Sequence, residues 1–158
     1  MFRASFFHYS DRMPDDDEIV SWWGLVIEGY YATHNRLMSG IEEQVGLAPG
    51  AFDIVIRLLR SPDHRLPMTR LAKEAALSSG GFTKVADRLV AADLIRREPS
   101  DTDRRVTFAV LTDHGRDVAE RARKACADIL RERLLEPLGI QRCETLAETM
   151  RDLRTANG

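Results

Sequence analysis

Apolar residues along the chain fall mostly at helical spacing. Ile19, Trp22, Trp23, Val26, Tyr30, Leu37, Ile41 and Val45 share one face of a 3.6-residue period and predict one long helix. An acidic lead-in, "PDDDE", is expected to be frayed, and Gly46 marks the end. Pro49 opens a second helix with Phe52, Val55, Ile56 and Leu59 inward, and "SPDHRLP" breaks it. Thr69 is the expected N-cap of a short helix, Arg70 to Ala76. Ser78 or Ser79 caps the next helix, whose Phe82, Val85, Leu89 and Val90 form a stripe for burial.

From Leu94 the period changes. "LIRREP" and "RVTFAVLT" bracket the polar stretch "SDTD", and Val106, Phe108 and Val110 alternate with Thr107 and Ala109, which predicts a β-hairpin. Thr112 then caps a long helix to about Leu135, Pro137 and Gly139 punctuate, and a last helix runs from Gln141 to about Arg154. The fold class is mainly α with a small β-hairpin wing, α+β. The order helix, helix, tight turn, helix, hairpin describes a winged helix-turn-helix over residues 47–111. Residues 1–46 and 112–158 supply a helical dimerisation domain.

In such a motif the second helix of the pair enters the major groove N-terminus first, and the hairpin tip reaches the adjacent backbone or minor groove. The recognition helix would then begin in "LSSGGFTK", with adjacent glycines. A helix-interior glycine costs about 1 kcal/mol relative to alanine, so the pair needs a reason. One reading is that Gly80 and Gly81 let main-chain N–H groups approach phosphates, while Ser78, Ser79, Thr83, Lys84 and Arg88 reach base edges or phosphates. The other is that both glycines fit a crowded turn between helices.

Charge adds little to this picture. The net charge is −2, and only the middle of the chain is basic: residues 61–111 hold 9 Lys and Arg against 7 Asp and Glu. Cys126 and Cys143 lie outside any CxxC or His spacing, which argues against a disulfide framework and a zinc site; both read as small core or interface residues. No run of 18 apolar residues occurs, and Met1 to Ser10 lack a signal-peptide layout, so the expected location is the cytoplasm and no membrane partner is expected. Enzyme readings find no support: "GGFTK" is not a GxxxxGK[ST] loop, there is no GxSxG elbow, and no acid pair or His/Cys cluster has catalytic spacing. No cofactor is expected.

"RLVAADLIRREPSDTDRRVTFAVLTDHGR" resembles the defining segment of the MarR family of bacterial transcription regulators, and "LSSGGFTKVADRL" resembles the recognition helix of one of its branches. The resemblance covers about residues 20–155 and is sharpest at "DTDRR" followed by "LT..G". It implies a homodimer on double-stranded DNA, with a palindromic operator and repression as the expected mode. The family's Asp-x-Arg wing falls on Asp103 and Arg105: the arginine would enter the minor groove and the aspartate would help orient it, with Arg104 on a phosphate. A solvated turn is the plain alternative for both arginines. Where the family usually has Gly, this chain has Asp93, which tolerates the left-handed conformation.

The resemblance also implies a small aromatic anionic effector bound between dimerisation and DNA-binding parts. Trp22, Tyr30, His34, Phe52 and Arg57 are candidates by location, although aromatics at helical spacing more often pack in a core. The oxidant-sensing branch has a reactive cysteine near the start of the chain, and here none precedes Cys126. A winged helix used purely for protein interaction is the alternative function.

Overall fold

Helix α1 (Asp16–Val45) begins three residues ahead of its apolar stripe, because "DDDE" is a capping box rather than a frayed lead-in. In this computed structural model, which describes residues 12–75 and 79–158, Asp15 Oδ1 accepts the Glu18 N–H at 2.9 Å and Glu18 Oε2 accepts the Asp15 N–H at 3.1 Å. Asp16, Asp17 and Glu18 also place negative charge where the helix dipole favours it. The helix stops at Gly46, whose φ of 75° few other residues adopt at low cost.

The backbone divides into two compact units, residues 1–32 and 33–158, with the boundary inside α1. The described part of the first unit is helical and apolar on its surface: Trp22, Trp23, Leu25, Tyr30 and Tyr31 are all more than half exposed. Tyr30 and Tyr31 meet edge to face, with ring centroids 5.4 Å apart.

The second unit holds the core. Pro49 at the first position of α2 (Pro49–Leu59) presets the helical φ, and Ile54, Val55 and Leu58 are fully buried, worth about 1.5–3 kcal/mol each. Around them lie Met38 and Ile41 of α1, Leu71 of α3 (Met68–Glu74), Phe82, Ala86 and Leu89 of α4 (Ser79–Ala91), and Val118, Ala119 and Ala122 of α5 (Asp113–Leu130). Three expectations are corrected here. The short helix α3 starts at Met68 after Pro67 with no side-chain cap, so Thr69 lies inside it. Val90 is exposed and Ala86 takes its place, because on a 100° period position 90 lies about 80° from Phe82 and off the buried face. Ser78 lies outside the described residues, and Ser79 is the first helical residue of α4 rather than its cap.

"SPDHRLP" does more than break a helix. After a single 3-10 turn at Pro62–His64 it forms strand β1 (Arg65–Pro67), which pairs antiparallel with β3 (Thr107–Leu111), and β3 pairs in turn with β2 (Ile95–Pro99). The expected hairpin is therefore two strands of a three-stranded sheet, order β1-β3-β2. β3 is the central strand, hydrogen-bonded along both edges. Ala109 and Leu111 of β3 join the core and Val110 is buried as well, while Phe108 lies beneath the Arg65 guanidinium, 3.9 Å from the ring centroid.

Thr112 caps α5 as expected, accepting the Gly115 N–H at 2.8 Å. A π turn at Arg131–Leu135 and a short α6 (Glu136–Leu138) carry the chain past Pro137 to Gly139, φ 75°, and into α7 (Ile140–Asn157). No residue of α7 is buried.

Candidate nucleic-acid interface

Helix α4 leaves its C-terminus through a Schellman turn that sets where the wing begins. Leu94 N donates to Leu89 O and Asp93 N to Val90 O, with Asp93 at φ 54°. Both Leu89 and Leu94 are buried, closing the apolar contact that usually accompanies this turn. An aspartate thus occupies a left-handed position normally given to glycine, as its short polar side chain permits.

The exposed face of α4 carries Gly80, Thr83, Lys84, Asp87 and Arg88, and Gly81 is half-buried. A Cβ built on Gly80 would meet nothing within 4 Å, so at that position the protein itself makes no demand for a glycine. Asp87 is the one carboxylate in α4, and Arg97 of β2 lies 2.6 Å from it. This pair offsets the only negative side chain on a face that otherwise offers Lys84 and Arg88. It also ties the wing to the recognition helix. Sequence reasoning missed it, since ten residues and a change of element separate the partners.

Between β2 and β3 the wing tip is organised around two side chains. Ser100 Oγ lies 3.1 Å from Thr102 Oγ1 and accepts the N–H groups of Thr102 and Asp103 at 3.3 Å. Asp103 Oδ1 accepts the Arg105 N–H at 3.0 Å, an Asx turn, and Val106 N donates to Asp103 O at 2.9 Å. The Asp103 carboxylate therefore shapes the backbone that presents Arg105. Arg104 and Arg105 are exposed, and among the described residues neither they nor Lys84 and Arg88 have an ion-pair partner.

The residues expected at an effector site divide between the two units. Trp22 and Tyr30 are exposed on α1 in the first unit. In the second unit His34 is half-buried, Phe52 packs against the core, and Arg57 lies 2.9 Å from Asp53 and 3.6 Å from Glu74. Neither cysteine is bonded to the other, and burial pushes the Cys126 thiol up, away from reactivity. Among the described residues no helix is long and apolar enough to cross a membrane, and no cluster of three metal-ligating side chains occurs.

This architecture has close counterparts. A sequence profile described as the MarR family matches residues 45–106, which span α2, the helix-turn-helix and the wing tip. The HTH-type transcriptional regulator MhqR of Bacillus subtilis is 34% identical over 91 residues, 58% of this chain and 61% of that protein, so the match spans about three fifths of the curated relative. Sco3205 of Streptomyces coelicolor, a MarR family transcriptional regulator solved in complex with DNA, superimposes with a TM-score of 0.78 at 27% identity, covering 93% of this chain and 92% of that one. AbsC, a MarR family transcriptional regulator from the same organism, shares the fold at a TM-score of 0.77 and 24% identity, covering 92% of this chain and 97% of that one. Residues 45–106 thus carry the profile of the MarR family, and along nearly its whole length the chain is similar in fold to a MarR family transcriptional regulator solved in complex with DNA.

Proposed function

We propose that the protein is a sequence-specific, DNA-binding transcription regulator of the cytoplasm. It binds a palindromic operator as a homodimer, acts as a repressor, and is released by a small aromatic anion. The observation that carries this reading is the Arg97–Asp87 pair, which fastens the wing to the exposed face of α4 and so joins two surfaces of unpaired cations into one. Residues Gly80 to Arg88 would lie in the major groove and Arg104 and Arg105 at the adjacent minor groove, where narrow A·T-rich geometry concentrates negative potential. Dimerisation is supported by apolar side chains left uncovered on two helices: Trp22, Trp23 and Leu25 on α1, and Ile140, Leu146 and Leu153 on α7. Residues 1–46 and 112–158 are the proposed dimerisation domain. Selection of bound fragments from genomic DNA, followed by titration of the best fragment at several salt concentrations, tests the reading. Enrichment of a two-fold symmetric site is expected, with sedimentation at twice the chain mass. Salt-sensitive binding without any sequence preference, or a stable monomer at micromolar concentration, would overturn it.

A further inference from the structure

A cleft of about 460 Å³ opens where the end of α2, the Pro62–His64 turn, α3 and the last turns of α7 converge. Its size lies within the range of small-molecule sites. The charge of its lining is lopsided: Arg57, Arg60, Arg70 and Arg154 face only Asp53 and Glu74, with Ile56 and Leu66 as apolar floor. The two carboxylates are already committed. Arg57 is held by Asp53 at 2.9 Å and by Glu74 at 3.6 Å, and Arg70 by Glu74 at 2.6 Å. The hydrogen bond from Arg70, opposed by partial burial and assisted by the charges of Arg57 and Lys73, holds the Glu74 carboxyl below the usual carboxylate range. It stays ionised, and the inner network is fixed.

Arg60 and Arg154 remain. Both are exposed, and among the described residues neither has an ion-pair partner. They come from opposite ends of the second unit's sequence and line the same cleft. Two guanidinium forks with no internal acceptor, above an apolar floor and beside a preorganised ionic network, form a receptor for carboxylate or phosphate oxygens. We propose that this cleft binds a small organic dianion, a dicarboxylate or a phosphate monoester, clamped between Arg60 on the α2 side and Arg154 on α7. Such a ligand would bind the end of α7, otherwise unburied, to the C-terminal end of α2, just ahead of the helix-turn-helix pair. The site stands on its own geometry; its role as the effector site rests on the proposed function. It also differs from the location expected from the aromatic residues, sharing only Arg57 with them.

Isothermal titration of the full-length protein with phthalate and with phenyl phosphate tests the proposal, with benzoate as the single-charge comparison. Saturable binding of one dianion per chain is expected for at least one of the two probes, and whichever binds more tightly identifies the favoured headgroup. Benzoate should bind roughly tenfold more weakly. Replacing both clamp residues, Arg60→Gln with Arg154→Gln, should weaken the dianion at least roughly tenfold, a difference of about 1.4 kcal/mol. Arg123→Gln on α5 should leave it unchanged. Equal affinity in the wild-type and clamp variants, or no saturable binding of either dianion at millimolar concentration, would overturn the site. Operator binding is measured on the same preparations without any anion: its absence alongside intact phthalate binding counts against the regulator and in favour of an independent anion site.

Discussion

Arg97 Nη2 lies 2.6 Å from Asp87 Oδ1, joining the second strand of the sheet to the outer face of the recognition helix. Both side chains are about half exposed, so the pair is worth only about 0.2–1 kcal/mol to stability. Its expected consequence for DNA binding is larger than its consequence for folding. Without Arg97, Asp87 would meet the phosphates as a bare charge. Arg97→Ala is therefore expected to weaken operator binding clearly while shifting the urea midpoint little, and adding Asp87→Ala should restore part of the lost affinity. A double-mutant cycle on both observables checks this; purely additive DNA affinities would show that the two residues act separately.

For the wing tip, Arg105→Ala should cost about 1–3 kcal/mol of operator affinity and reduce the slope of affinity against salt, with helical content unchanged by circular dichroism. Asp103→Ala should produce a smaller loss, since it removes the acceptor of the Arg105 N–H but leaves the guanidinium. An unaltered salt slope in the Arg105 variant would return both arginines to the role of a solvated turn.

Gly80→Leu separates two reasons for a glycine. Open space surrounds a Cβ at this position, and leucine is the better helix former, so thermal stability should hold or rise by up to about 1 kcal/mol. Operator affinity should fall, because the added side chain stands between the helix start and DNA. A variant that loses stability instead would mean that the helix start is packed after all.

Much of this fold is legible from spacing alone. The long first helix, Pro49 at the start of the second, Thr112 as a cap and the hairpin after Leu94 all follow from local rules that the surrounding structure does not override. What escaped had non-local causes. Strand β1 is three residues ending in Pro67, too short for alternation to register, and exists because β3 offers it a partner. The box at Asp15 and Glu18 was readable, but its run of acids looked like a solvated tail. For the DNA-facing surface, residue types identified the arginines and glycines, whereas the Asp87–Arg97 tie and the Arg60–Arg154 cleft needed three-dimensional proximity.

Asp93 offers a stability test at the helix-to-wing junction. Its φ of 54° is strained for a residue with a Cβ, so Asp93→Gly should be neutral or stabilising by up to about 1 kcal/mol, whereas Asp93→Val should destabilise by more than that. Chemical denaturation of both variants checks the ordering; the reverse order would mean that the Asp93 side chain makes a contact that outweighs its backbone cost.

Gly115 sits where this junction meets α5. A Cβ there would lie 1.8 Å from Leu94 O, while Thr112 N reaches the same oxygen at 3.2 Å and Thr112 Oγ1 reaches Asp93 O at 2.5 Å. Main chain rests directly on main chain, with no compressible side chain between. The joint is a fulcrum and α5 is the arm: 18 residues at 1.5 Å per residue give a lever of about 27 Å. A displacement of about 1 Å at its far end then turns the base of the wing by about 2°, with nothing soft in between to absorb the motion.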